Sequence, residues 1–159
     1  MKIIGNKKEF AVEYKIINPK NLLGFGKLWI QNSFYGTSND LIYLDGYLVS
    51  LIEDMLNADN YPNYKEGFDN EKLFQNLEIE LNNTSKYLIT SSTFTDDFLG
   101  FKFKLKDEII LIWKIISNDD VIFEDLRNYS KSVIMVKFNY VSAKLVLSKL
   151  KKQLEMARV

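Results

Sequence analysis

The chain has 159 residues, of which 47% are hydrophobic, 14% aromatic and 26% charged, a balance that suits a packed globule with a real core and not a disordered segment. Twenty-one basic residues are cancelled by twenty-one acidic ones, so no strong global field draws the protein to nucleic acid or to an anionic membrane. Cysteine and histidine are both absent, which removes disulfides, thiolate and imidazole metal sites, cysteine nucleophiles and the Ser-His-Asp arrangement.

What remains for catalysis is carboxylates, lysine, tyrosine and backbone groups, and no cofactor or metal is expected. The first residues lack the apolar run and small-residue cleavage site of a leader, and no segment approaches the roughly 20 apolar residues of a spanning helix. A cytoplasmic protein is therefore expected. The sequon Asn82-Asn83-Thr84 reads as a polar loop.

Residues 9–17 alternate Phe10, Val12, Tyr14 and Ile16 against Glu13 and Lys15, and Asn18-Pro19-Lys20-Asn21 supplies a turn. Residues 25–34 place Leu28 and Ile30 on one face and Lys27, Trp29 and Gln31 on the other, closed by Tyr35-Gly36-Thr37. These two strands predict an antiparallel hairpin, with a bulge or a close backbone approach at Gly24 and Gly26. Ser38, Asn39 and Asp40 then offer N-caps before Leu41, Leu44, Leu48, Leu51, Ile52 and Met55, whose spacing predicts a helix of about four turns.

A polar loop over 57–67 holds Tyr61, Pro62 and Tyr64, after which Asp69 or Asn70 caps a second helix that shares Leu73, Phe74, Leu77 and Leu81 on one face. Residues 87–94, rich in Thr, Ser and Ile, predict a strand. Residues 98–117 form the hairpin around which the rest is organised, turning at Lys106-Asp107-Glu108. Its first arm sets Leu99, Phe101, Phe103 and Leu105 against Gly100, Lys102, Lys104 and Lys106, one dry face and one wet. Its second arm sets Ile109, Leu111, Trp113 and Ile115 against Ile110, Ile112 and Ile116, apolar on both faces and so suited to the middle of a sheet.

Residues 121–126 fit strand or helix equally. A strand over 133–139 and a helix over 141–157 close the chain, the latter with Ala143, Val146, Leu147, Leu150 and Leu154 along one face. Strands in groups point to α+β: one domain over 1–159, mainly antiparallel sheet with about three helices laid on it. Leu28, Trp113 and Phe138 are expected at the centre of the core.

The doublets Asp96-Asp97, Asp119-Asp120 and Glu124-Asp125 read as solvated turns or a partner-facing acidic patch, because adjacent side chains in extended backbone point to opposite faces and present one carboxylate each. Gly24-Phe25-Gly26 enters a strand and not a helix, so it is no phosphate loop. The stripe Lys102, Lys104, Lys106 reads as a solvated face or edge protection, since an RNA platform needs aromatics on the same face. On the first helix, Tyr43, Tyr47, Ser50 and Asp54 share an arc opposite the apolar stripe. Tyrosine is enriched at the energetic centres of interfaces, while the plainer reading packs these rings against the following loop.

The stretch Ile4-Gly5-Asn6-Lys7-Lys8-Glu9-Phe10-Ala11-Val12-Glu13-Tyr14, followed by Phe25-Gly26-Lys27-Leu28-Trp29-Ile30-Gln31-Asn32, resembles the opening of the immunity protein 42 family, bacterial proteins associated with polymorphic toxins. Asp96-Asp97-Phe98, Ile110-Leu111-Ile112-Trp113-Lys114 and the segment 138–154 are similar to that family in order and spacing. The resemblance implies a non-enzymatic protein that binds and neutralises a cognate toxin. It transfers no binding residues, and the physical reading nominates Tyr43, Tyr47 and Asp54 for the partner, with Asp119 and Asp120 as an acidic supplement. A housekeeping adaptor, or an enzyme dependent on carboxylates or lysine, is the alternative.

Overall fold

A computed structural model describes residues 1–118, 120 and 122–158. Among the described residues eight strands form two antiparallel sheets. The first contains β1 (Lys2–Asn6), β2 (Phe10–Asn18), β3 (Leu23–Ile30), β4 (Ser33–Tyr35) and β5 (Ile42–Tyr43), with β4 and β5 sharing the edge of β3 that β2 leaves open. The second has the order β6 (Phe98–Leu105), β7 (Glu108–Ile115), β8 (Ile134–Asn139). The helices are α1 (Val49–Leu56), entered through a π-helical turn Leu44–Leu48, α2 (Asn70–Ile79), α3 (Leu81–Thr84) and α4 (Tyr140–Ala157). The α+β expectation holds.

β7 is the central strand of its sheet, as its two apolar faces require. Ile109, Leu111, Trp113 and Ile115 enter the main core with Val12, Leu28, Tyr35 and Phe138, while Ile110 and Ile112 join a second core with Phe101, Phe103, Leu73, Phe74 and Leu77. Leu28, Trp113 and Phe138 are buried as expected. Rings bridge the two sheets: Phe10 meets Phe138 at 4.7 Å and Tyr35 meets Trp113 edge-on at 5.2 Å. The Trp113 indole N–H donates to the Tyr129 hydroxyl at 2.9 Å, which in turn donates to the Phe34 carbonyl. Burial pushes the Tyr35 and Tyr129 hydroxyls far above the usual phenol range.

α4 buries the five residues its periodicity names, and its N-cap Asn139 accepts from the Ser142 amide. Asp69 caps α2 in the same way. Gly24 and Gly26 do mark close approaches: a Cβ on Gly24 would stand 2.0 Å from the Lys15 carbonyl oxygen, and one on Gly26 would stand 2.7 Å from Leu48.

Several expectations are corrected. β1 has no counterpart in the sequence pattern, and 25–34 is two strands, because Gln31 and Asn32 adopt φ of 49° and 65° and turn the chain back in a two-residue hairpin. Residues 87–94 make no strand: Leu88 forms an isolated bridge with Phe101, residues 89–92 are irregular, and the 3₁₀ turns Ser85–Tyr87 and Thr93–Thr95 stand at either end. The first helix begins at Leu44, not at Leu41. Thr37 and Ser38 are instead tied down by Asp125, which accepts from both hydroxyls and from the Ser38 amide. Asp125 is thus a structural acceptor and no solvated turn residue.

The lysine stripe of β6 is not uniformly wet either. Lys102 is buried, its ammonium bonded to Asp54 Oδ1 at 2.9 Å and to the Leu88 carbonyl at 2.8 Å. A buried ammonium persists only with such partners.

Candidate binding surface

The sequence-nominated residues lie where β5 runs into α1. Tyr43 ends β5 and Tyr47 stands on the π-helical turn, their ring centroids 6.4 Å apart and their side chains exposed at 50% and 39%. π-turns are rare and recur at functional sites. Here the turn carries Leu44 and Leu48 into the core while it leaves the two rings together in solvent. Beside them a cleft of about 200 Å³ opens between Gly46, Tyr47, Ser50 and Leu51 on one side and Thr90, Ser91 and Ser92 on the other.

Asp54 is placed differently from the expectation of a solvent-facing carboxylate. One oxygen receives the buried Lys102 ammonium and the other accepts the Thr90 amide at 2.9 Å. It holds the far wall of the Tyr47 cleft and does not extend the tyrosine pair outward. Asp120 is exposed in the connection after β7, and Asp119 lies outside the described residues.

A larger surface escaped the sequence reading. In the first sheet, Val12, Tyr14, Leu28, Ile30 and Ile42 point into the core, so the alternate positions form the opposite face. Register puts Ile3, Glu13 and Lys27 in one row, Trp29 beside Phe34 in the next, Phe25 beside Lys15, and Leu23 beside Tyr43. Ile3 and Tyr43 are half-exposed, and Leu23, Phe25, Trp29 and Phe34 are partly so. α1 and α4 pack on the core side. Apolar rings at this exposure exceed what scattered surface hydrophobes need.

Charge on this face is ordered. The Trp29 indole N–H donates to Glu13 Oε2 at 2.6 Å, and Lys7 pairs with the same oxygen at 2.9 Å. Lys7 also lies 4.1 Å from the Trp29 ring centroid and Lys27 lies 3.9 Å from that of Phe34, both cation–π distances. Burial alone would raise the Glu13 carboxyl, but the hydrogen bonds from Lys7 and Trp29 and the nearby Lys7 and Lys27 charges outweigh it and hold it below the usual carboxylate range. The period-two pattern puts Lys27 and Trp29 on one face, and what it does not carry is that α1 and α4 pack against the other.

Among the described residues no group of His, Cys, Asp and Glu is arranged to hold a metal ion, and no helix is long and apolar enough to cross a membrane. Searches of curated proteins found no match. Among solved structures the fold is similar to CdiI from Burkholderia dolosa AUO158, with a TM-score of 0.64 and 14% identity, covering 96% of this chain and 99% of that one. The family described as Immunity protein 42 matches residues 1–153, nearly the full length and both sheets, and the chain belongs to the immunity protein 42 family.

Proposed function

We propose that this protein neutralises its cognate toxin by direct occlusion, and that the Tyr43–Tyr47 pair lies at the contact. Family membership makes it a toxin-neutralising protein and not an enzyme. The observation that supports the location is the pair of exposed rings where β5 enters a π-helical turn, Tyr43 at the strand's end and Tyr47 on the turn, whose backbone is anchored by buried Leu44 and Leu48. Rings held this way lose little freedom on binding, which is what interface anchors need. Asp54 contributes by fixing the cleft beside Tyr47 through Thr90, and exposed Asp120, with Asp119, adds negative charge that would face a basic toxin surface. The likeness to a CdiI supports a setting of competition between touching cells, with the protein acting in the cytoplasm, where it meets the delivered toxin.

The test is co-expression with the toxin domain encoded immediately upstream. Survival and co-purification are expected with the wild type, and both are lost with the double variant Tyr43→Ala, Tyr47→Ala at unchanged thermal stability. A double variant that still protects and still co-purifies would remove the tyrosines from the interface.

A further inference from the structure

The open face of the first sheet is the molecule's second organised surface. Its floor is aromatic: Phe25, Trp29 and Phe34, running toward Tyr43 at one end. Its charges stand at two heights. The carboxylates of Glu13 and Asp125 are sunk, with side chains 15% and 17% exposed, and each is occupied by a lysine or by hydrogen bonds. Lys7 rides higher at 36%, and Lys15 is exposed beside Phe25. Lys27, over the Phe34 ring, is sunk with the carboxylates at 10% exposure, so the charges that reach solvent on this face are those of Lys7 and Lys15.

We infer that this face is a second contact area for the toxin, continuous with Tyr43, and that it receives an acidic, partly apolar segment of that partner. This inference rests on the immunity reading above. Complementarity decides the partner's chemistry: a carboxylate can pair with exposed Lys15, and a second can share Lys7 with Glu13, while aliphatic groups cover Phe25 and Ile3. A single-stranded nucleic acid fits less well. Bases need bare ring faces to stack on, whereas Lys7 already covers the Trp29 ring and the indole N–H is committed to Glu13. The network also fixes its own side chains before the partner arrives, so little ordering entropy is lost on docking.

Lys15→Glu changes one exposed charge and leaves the core untouched, and Lys72→Glu on exposed α2 is the matched control. Binding of the upstream-encoded toxin domain to the full-length chain is measured by titration at low and high salt. Lys15→Glu is expected to weaken binding about tenfold or more at low salt and to flatten the salt dependence, with Lys72→Glu unchanged. If Lys15→Glu binds like wild type while Tyr43→Ala, Tyr47→Ala does not, the sheet face is not an interface and the immunity reading stands. If none of the variants affects binding, the location of the interface fails as a whole. Wild-type capture of an oligouridylate that Lys15→Glu abolishes would make the face a nucleic-acid platform and overturn the inference.

Discussion

Removal of Lys102 separates two roles that the sequence could not tell apart at Asp54. The Lys102 side chain is 7% exposed and that of Asp54 is 23% exposed, and together they join β6, α1 and the 88–90 segment. Lys102→Met keeps the aliphatic stem but strands the Asp54 carboxylate on a single remaining amide donor and the Leu88 carbonyl on none. Breaking a buried pair from one side costs about 3–5 kcal/mol, and water that reaches the partly exposed carboxylate brings the figure to the lower end, about 3 kcal/mol. Asp54→Ala is expected to cost more, because the charge it abandons is the more deeply buried one. Urea unfolding of the wild type and both variants measures this directly. Toxin affinity of the folded fraction should remain within about threefold of wild type, a difference under about 1 kcal/mol, since Asp54 acts through the scaffold. A loss below about 1 kcal/mol for Lys102→Met would refute the keystone assignment, and a large affinity loss in a stable Asp54→Asn variant would return Asp54 to the interface.

Other outcomes follow from the same contacts. Trp113→Ala removes a fully buried ring and the donor to Tyr129, and should lower stability by about 3–5 kcal/mol in the same urea assay. Because the Glu13 carboxyl titrates lower in the folded protein than in the unfolded chain, its stabilisation is complete above the ordinary Glu range and fades as pH falls through the folded value. The stability gap between wild type and Glu13→Gln, measured by thermal melts across acid pH, should accordingly close on acidification. Tyr129 runs the other way: burial raises its hydroxyl, so its contribution holds below the ordinary phenol range near 10 and is lost as pH climbs above it. Tyr129→Phe should therefore unfold at higher alkaline pH than expected from its neutral-pH stability.

Legibility in the sequence tracked how local each cause was. β7 and α4 were readable because their burial is written into their own periodicity, Ile109 to Ile115 on alternate positions and Ala143 to Leu154 at helical spacing. β1 was not, since its five residues are mostly exposed and its Gly5 adopts φ of 97°, so it is a strand only because β2 pairs with it. Lys102 looked like Lys104 and Lys106, and what distinguishes it is a carboxylate 48 residues earlier. Ser38 reads as a helix cap and Thr37 as part of a turn because the acceptor that holds both, Asp125, lies 87 and 88 positions away. The tyrosine pair survived an error in the helix start: β5 followed by a π-turn brings Tyr43 and Tyr47 together much as one helix would have done. The aromatic sheet face was invisible for a simpler reason. Alternation assigns Trp29 to a face, but only the packed fold reveals that α1 and α4 both chose the other one.

The central claim is stoichiometric occlusion, and the most direct measurement is titration of the purified toxin domain's activity with this protein. Inhibition should rise linearly and end at one protein per toxin, with a complex isolable at the end point, and the Tyr43→Ala, Tyr47→Ala variant should shift the curve to far higher concentration. Complete inhibition by a small fraction of an equivalent, with no complex formed, would contradict occlusion and point to catalytic inactivation of the toxin.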